Sequence, residues 1–220
     1  MTPVFACIIF CLSLFNIASA ARTSPPAGAK VVRAGTSNSG EFATLSAAVN
    51  SLPNDGSSQT IFIYPGTYAE QVYISRSGPL TVRTQGYPAL PTSPFFGFSR
   101  LTSTNQVYGY TTDTSTYKNN QVTIQAGIPA SSAGSNDASG TVRIHTDDFK
   151  MYNVNVKNTY GVGGQAIALS QYGSRVGIYA CGLYGYQDTL LVNDGTQVYL
   201  QGYIEVRSLT FLGMHLLSDI

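Results

Sequence analysis

Two glutamines and one aspartate are the residues of this sequence whose types and spacing best suit chemistry. Gln165 lies in Gly-Gly-Gln-Ala-Ile-Ala-Leu, and Gln187 lies 22 residues later in Gly-Tyr-Gln-Asp-Thr-Leu, directly before Asp188. Amide N–H groups stabilise negative charge on an oxyanion, and removing one such donor costs about 10²–10³ in rate. A carboxyl group protonates a leaving group when burial or a second carboxylate raises its pKa. The pattern therefore predicts acyl chemistry by side chains.

A structural role is the alternative for the two glutamines, because stacked amides form hydrogen-bonded ladders in solenoid proteins. The carboxylate of Asp188 beside Gln187 favours the catalytic interpretation. We predict neither a metal nor a cofactor, because the sequence offers no cluster of His, Cys and carboxylate residues at ligand spacing.

A repeat of short β-branched runs predicts how these side chains are positioned. The step of 22 residues also links the runs Val154-Asn155-Val156, Val176-Gly177-Ile178 and Val198-Tyr199-Leu200. A fixed period of this size is typical of a coiled β solenoid. Because successive coils stack about 4.8 Å apart, equal positions in neighbouring coils become spatial neighbours. The repeat thus predicts that Gln165, Gln187 and Asp188 project into one patch.

The rest of the chain supports an all-β fold without the long helices of a βαβ protein. Strand signals bounded by turn residues cover 60–64, 71–74, 80–83, 121–125, 141–144 and 149–156. Helical spacing of apolar residues from Glu41 to Leu52 predicts a short helix that caps the N-terminal end of the solenoid. Residues 87–120 lack a strand rhythm and are interpreted as long loops, whose Tyr108, Tyr110 and Tyr117 are candidates for stacking on sugars.

Composition narrows the class of protein further. Charged residues make up 10% of the chain and the net charge is +1, so the basic stripe of a nucleic-acid binder is missing. Residues 1–20 have the apolar run and small-residue cleavage site of a signal peptide, which predicts secretion rather than a membrane span. Residues 21–30 read as a leader. Cys181 is the one cysteine outside the signal peptide, and its apolar neighbours predict a buried thiol.

Three motifs make a family resemblance specific. In chain order they are Gly66-Thr67-Tyr68-Ala69-Glu70, Gly164-Gln165-Ala166-Ile167-Ala168-Leu169 and Gly185-Tyr186-Gln187-Asp188-Thr189-Leu190. Together they resemble the pectin methylesterases, in the style of the fungal members, over residues 31–205. The resemblance implies a right-handed parallel β-helix. It also implies a monomeric, secreted carboxylic ester hydrolase that removes methyl groups from the polysaccharide homogalacturonan (pectin).

The resemblance also implies roles for individual residues. Asp188 would be the general acid and then the base, while Gln165 and Gln187 would donate hydrogen bonds to the oxyanion. Thr67 and Tyr186 are candidates for contact with substrate. Glu70, in the first motif, and His145, in a predicted strand, are expected to be structural.

One family motif is not matched. The nucleophilic aspartate of Gly-x-x-Asp-Phe-Ile-Phe-Gly is expected at position 209, where this sequence has Leu209. Residues 206–220 therefore read as a non-family tail, and the later Leu-Gly-Arg-Pro-Trp motif does not occur before Ile220. We expect a β-helix that is incomplete at its C-terminal end. Since the covalent mechanism has no first step without a nucleophile, we also expect an impaired or inactive chain.

Two other functions stay open at this stage. The chain could be a non-catalytic remnant that binds pectin through its loops. A β-helical lyase or glycoside hydrolase would need calcium-binding or paired carboxylates, and Asp147-Asp148 is the adjacent acidic pair that could supply them. We interpret that pair as a turn at the start of a strand.

Overall fold

The computed structural model describes residues 24–57, 59–76, 105–109 and 115–208, with 105–109 described as backbone only. The predicted signal peptide, the predicted strand 80–83, Tyr110 and position 209 lie outside the described residues.

The described chain winds through three parallel sheets, which we name A, B and C. Its first elements are β1 Lys30–Val32, β2 Glu41–Phe42, α1 Leu45–Asn50, β3 Gln59–Ile63, β4 Gly66–Ala69, β5 Val72–Ile74, β6 Asn105–Gly109 and β7 Val122–Ala126. They are followed by α2 Ala130–Ala133, α3 Asn136–Ser139, β8 Val142–Ile144, β9 Phe149–Tyr152, β10 Val154–Asn158 and β11 Leu169–Gln171. The last are β12 Val176–Tyr179, β13 Gly182–Tyr184, β14 Leu190–Val192, β15 Gln197–Leu200 and β16 Tyr203–Glu205.

From β3 onward, consecutive strands enter sheets A, B and C in turn, so that three strands make one coil. Sheet A has the spatial order β15-β12-β9-β6-β3-β1-β2, sheet B the order β16-β13-β10-β7-β4, and sheet C the order β14-β11-β8-β5. Each strand is paired in parallel with the equivalent strands of the coils next to it. This is the architecture of a parallel β-helix, as the sequence predicts.

Alternation of side chains fills the interior of the coils. In β10, Val154 and Val156 are buried, whereas Asn155 and Lys157 between them lie on the outer face and are half-buried. Because side chains alternate along a strand, one face of every short β-branched run faces the axis of the solenoid. The buried valines, isoleucines and leucines of the three sheets form one continuous core.

Helix α1 confirms the predicted N-terminal cap. The Thr44 hydroxyl accepts a hydrogen bond from Ala47 N, which is a typical N-cap arrangement. Leu45, Ala48 and Val49 face the core, where they pack with the first strands. The helix is shorter than predicted because residues 41–42 form β2, which pairs with β1.

The predicted 22-residue period is wrong as a register. The Val154 run belongs to sheet B, whereas the Val176 and Val198 runs belong to sheet A. The true partner of Val154 is Val122, and Gly177 pairs with Val198, 21 residues away.

The physical reason is that, from β7 onward, one corner varies in length from coil to coil while the other two change by at most one residue. The turns from sheet C to sheet A have four residues in each of three coils, at 145–148, 172–175 and 193–196. The turns from sheet B to sheet C instead shorten from 15 residues (127–141) to ten (159–168) and then five (185–189). A repeat that loses residues at one corner cannot keep a fixed period.

The predicted loop region also needs correction. Residues 105–109, inside the predicted loop 87–120, form strand β6, which pairs with β3 and β9 and completes sheet A. Helices α2 and α3 within the first long turn from sheet B to sheet C were not predicted. Their four-residue length is too short to give a helical period in the sequence.

Candidate functional site at the turn from sheet B to sheet C

The predicted catalytic residues lie where the chain turns from sheet B into sheet C, which we call the B–C corner. Gln165 lies in the corner after β10, and Gln187 and Asp188 lie in the corner after β13. The backbone N–H of Ala166 donates to the Gln187 carbonyl oxygen at 3.1 Å, so the two corners are in direct contact. The Gln165 carbonyl in turn accepts from Ala130 N at 2.8 Å. Stacked corners thus bring the two glutamine positions together, although the predicted strand register is wrong.

The stack continues beyond Asp188. Gln187 forms an isolated parallel bridge with Ser208, and the Tyr186 carbonyl accepts from both Arg207 N and Ser208 N. The first residues of the segment interpreted as a tail therefore follow the path of the coils. Tyr186, one of the predicted substrate contacts, lies half-buried beside Gln187.

Asp188 has an unusual backbone conformation. Its φ is 58°, in the left-handed region that Asp tolerates better than most residues, and its exposed fraction is 6%. Left-handed residues also bend the chain from sheet A to sheet B, but there they recur at Asn153, Ala180 and Gln201 in successive coils. Among the described B–C corners, Asp188 is the one left-handed residue that is not glycine. Strain of this kind is concentrated at functional sites.

Thr189 and Gly185 hold the Asp188 corner in place. The buried Thr189 hydroxyl donates to the Glu205 carbonyl oxygen of the next coil at 2.6 Å. A Cβ on Gly185 would lie 2.6 Å from that hydroxyl oxygen, so the turn needs a glycine there. The equivalent Thr141, before β8, donates to the Lys157 carbonyl in the same way.

Asn158 positions the Gln165 corner, and the sequence analysis did not single it out. Its exposed fraction is 5%, and its amide nitrogen lies within 3.1 Å of the carbonyl oxygens of Ile128, Ser139 and Ile167. The side chain thereby ties two successive B–C corners together. The signal that could have found it is its inward position in β10, directly after Val154 and Val156 in the alternation.

The first family motif is structural. Glu70 accepts hydrogen bonds from Leu45 N at 2.7 Å and Ser46 N at 2.9 Å, so its carboxylate binds the N-terminus of α1. The Tyr68 hydroxyl donates to the Tyr64 carbonyl and accepts from Ala34 N. The prediction of a structural role for Glu70 is confirmed.

Thr67 is exposed on the outer face of sheet B. It lies three coils before β13, which corresponds to about 14 Å at the spacing of parallel strands. The structure therefore does not bring Thr67 together with Gln165, Gln187 and Asp188.

A polar cluster around Asp137 lies beside the corner. The Asp137 carboxylate accepts from Ser170 at 2.6 Å and Arg143 Nε at 3.2 Å, and it lies 2.9 Å from His145 Nε2. Burial opposes ionisation of this carboxyl group, but the bonds from Arg143, Ser170 and His145 outweigh it and lower its pKa to about 2. His145 also stacks on Tyr172 with ring centroids 4.5 Å apart, which confirms its structural role.

The remaining candidates have structural partners. Arg175 binds both oxygens of Asp148, at 2.7 and 2.8 Å, and also contacts Asp147, so the acidic pair is part of an ion-pair network. Cys181 is buried as predicted, and burial raises the pKa of its thiol to about 12.

The described ranges contain neither a group of metal ligands nor a membrane-spanning helix. Within them, no three His, Cys, Asp or Glu side chains lie close enough to hold a metal ion. The helices that these ranges contain are also too short to cross a membrane.

The parallel β-helix and the Gln-Asp corner define a class of protein that known structures represent. The crystal structure of the pectin methylesterase from Aspergillus niger superposes with a TM-score of 0.69 at 40% sequence identity, over 84% of this chain and 52% of that chain. Pectinesterase A of Emericella nidulans is 41% identical over 206 residues, which covers 88% of this chain and 54% of the relative. A pectin methylesterase mutant in complex with a hexasaccharide has the same fold, with a TM-score of 0.60 at 21% identity.

The chain belongs to the pectinesterase family. It spans about half the length of the curated relatives that it matches. No protein-family model matches the chain.

Proposed function

We propose that the B–C corner is a pectinesterase-type site that acts on methyl-esterified homogalacturonan. The observation that carries the proposal is the direct contact between the Gln165 and Gln187 corners, with Asp188 next to Gln187, in a chain of the pectinesterase family. In this proposal the two amides donate to the ester oxyanion and Asp188 is the general acid and base. Secretion, proposed from residues 1–20, would bring the protein to a cell-wall polysaccharide.

The corner supports these roles physically. Asn158, Thr189 and the carbonyl of Gln187 fix the backbone of the two loops through hydrogen bonds, so that the two glutamines project from backbone positions that are set before substrate arrives. Donors that need no reorganisation stabilise a developing oxyanion better than mobile ones. A rigid frame is therefore the property that oxyanion stabilisation requires.

We further propose that this chain turns over substrate poorly. Gln187 pairs with Ser208, 21 residues away, and the same step leads from Asp188 to position 209, where the family nucleophile is expected. Position 209 holds leucine, which cannot form an acyl intermediate. Oxyanion hydrogen bonds alone leave only a small part of the rate enhancement of a nucleophilic enzyme. This favours binding of methyl-esterified pectin with little or no methanol release.

Methanol release and binding test the two parts separately. We expect the purified chain to release methanol from methyl-esterified oligogalacturonides at no more than the uncatalysed rate. In isothermal titration we expect it to bind these oligomers, with Gln187→Ala weakening binding. Gln59→Ala, which removes an amide on sheet A far from the corner, is the matched control and should leave binding unchanged.

Two outcomes would count against the proposal. Methanol release that Asp188→Asn abolishes would show that the chain is active and that position 209 is not decisive. Binding that is equal in the wild-type protein and in Gln165→Ala, Gln187→Ala and Asp188→Asn would remove the corner from the site.

A further inference from the structure

The outer face of sheet B carries a second group of side chains suited to sugar recognition. Strand register aligns two columns along this face. One contains Thr67, Thr123, Asn155, Gly182 and Tyr203, and the other contains Ala69, Gln125, Lys157, Tyr184 and Glu205. The first column runs from threonines and an asparagine to Tyr203, and the second combines Gln125 and Lys157 with Tyr184 and Glu205. Hydrogen-bonding groups next to aromatic rings are the usual composition of a carbohydrate-binding surface.

Three tyrosines, Tyr117, Tyr184 and Tyr203, form what we call the tyrosine cluster. Tyr117 stacks on Tyr203 with ring centroids 5.0 Å apart and planes at 16°, and Tyr184 meets Tyr203 at 5.6 Å and 47°. The Tyr184 ring lies over Gly182, since a Cβ there would be 2.6 Å from the ring. Tyr203 keeps an exposed fraction of 39%. The cluster is thus a preformed aromatic surface that is open to solvent.

Lys157 gives the cluster a positive charge. Its ammonium nitrogen lies 4.8 Å from the centroid of the Tyr184 ring, which is a cation–π distance. The acid that faces this column is Glu205, and its carboxylate is bound by Arg207 Nε at 2.8 Å. Because Arg207 neutralises Glu205, the charge of Lys157 is not balanced by an acid among the described residues of this face. An anionic ligand therefore fits better than a neutral one.

We propose that the tyrosine cluster and Lys157 bind a polyuronate, separately from the B–C corner. A sugar carboxylate pairs with the Lys157 ammonium while its pyranose ring packs against the exposed part of Tyr203. Since de-esterified homogalacturonan is a polyuronate, we take it as the ligand, and this choice of sugar rests on the proposed function. The site would hold the chain on regions of the polysaccharide that already carry free carboxylates.

Isothermal titration of the full chain with hexagalacturonate at low salt tests the proposal. Lys157→Met should weaken binding by about fivefold, since an exposed ion pair contributes up to about 1 kcal/mol. Tyr203→Ala should also weaken it by about fivefold through lost ring contact, whereas Tyr203→Phe should bind like the wild type. Lys30→Met removes an equal charge from sheet A, away from the tyrosine cluster, and is the matched control. Far-UV circular dichroism confirms that each variant is folded.

Each possible result of the titrations either supports or rejects a second binding site at the tyrosine cluster. Weaker binding in Lys157→Met and Tyr203→Ala, with Lys30→Met and maltohexaose as negative controls, supports the site. Wild-type affinity in both variants, or an equal loss in Lys30→Met, overturns it. If Gln187→Ala and Asp188→Asn abolish hexagalacturonate binding and Lys157→Met does not, all binding belongs to the corner. That result rejects the second site while leaving the proposed function intact.

Discussion

On sheet B, the position directly after the column that contains Ala69 and Lys157 accepts hydrogen bonds in one region of the molecule and donates them in another. Glu70 and Asn158 occupy equivalent positions, because Ala69 and Lys157 both pair with Gln125. At the N-terminal end, the Glu70 carboxylate accepts hydrogen bonds from two N–H groups of α1. Two coils later, the Asn158 amide donates to carbonyl groups of the corner loops. The surrounding backbone decides which polarity the position needs: a helix N-terminus presents donors, whereas irregular loops present acceptors.

A recognisable motif therefore does not by itself indicate a catalytic role. Glu70 lies in a motif shared with an enzyme family, yet its carboxylate is occupied by a helix end. Asn158 attracts no attention in the sequence, yet it holds the loop that carries Gln165. Hydrogen-bond partners, rather than residue type, separate the two kinds of role.

The largest effect is expected at Asn158. Asn158→Ala would remove a donor from the carbonyl groups of Ile128, Ser139 and Ile167, of which Ile167 keeps a hydrogen bond from Thr141 N. We expect the variant to lower the free energy of unfolding by about 3 kcal/mol. Urea unfolding followed by circular dichroism measures this. Asn155→Ala, on the outer face of the same strand, should cost under about 1 kcal/mol. If the two variants are equally stable, Asn158 is not the anchor of the corner.

The second effect concerns acid stability. The depressed pKa of Asp137, about 2 in the folded protein, means that its ionised form stabilises the fold above the ordinary pKa of 3.8. This stabilisation is lost as pH falls from about 4 through about 2, and it amounts to about 2 kcal/mol at neutral pH. Asp137→Asn should therefore lower stability at pH 7 but hardly change it at pH 2. A pH series of denaturant unfolding checks this, and an equal loss at both pH values would contradict it.

Removal of the Glu70 carboxylate should have an intermediate effect. Glu70→Ala would leave two N–H groups of α1 without acceptors, and we expect a loss of about 1–2 kcal/mol. Glu70→Gln keeps an acceptor oxygen and should lose less. Amide hydrogen exchange should show the increase in opening at residues 45–50 first. Uniform exchange changes across sheets B and C would instead assign Glu70 a global role.

The smallest effect is expected at Gly185, which occupies the position equivalent to Glu70 and Asn158 in the Asp188 corner. Gly185→Ala places a methyl group against the Thr189 hydroxyl and should cost about 1 kcal/mol. In a Thr189→Ala background the same substitution should cost less, because the clashing group is gone. Additive losses in this double-mutant cycle would mean that the glycine is required for another reason.

The sequence predicted the fold class well because alternation and short β-branched runs are local signals. It also placed Glu70, His145 and Cys181 correctly in structural roles. It failed on register, since the period was read from runs that belong to different sheets. Strand β6 was missed because its five residues lie among Ser, Thr and Tyr, where tertiary pairing rather than propensity makes a strand.

The sequence correctly predicted that the Gln165 and Gln187 positions lie together, and the reason is physical. Gln165 and Gln187 were brought together through a wrong period, because their corners differ in length by five residues and still stack. The hydrogen-bonding roles of Asn158 and Thr189 could not be derived from the sequence, since their partners are backbone carbonyls that come near only after folding. The roles proposed for Asp188 and the two glutamines stay predictions until the corner variants are measured.

The turns from sheet B to sheet C, which differ in length between coils, indicate where a β-helix tolerates insertions and deletions. From β7 onward, the other two corners keep nearly constant lengths, with one or two residues from sheet A to sheet B and four residues from sheet C to sheet A. Deletions or additions between sheets B and C leave the ladders undisturbed, as the steps of 15, ten and five residues demonstrate. Variation and chemistry thus share the same edge of the solenoid. A designer seeking new specificity can graft loops there while the remaining circumference stays untouched.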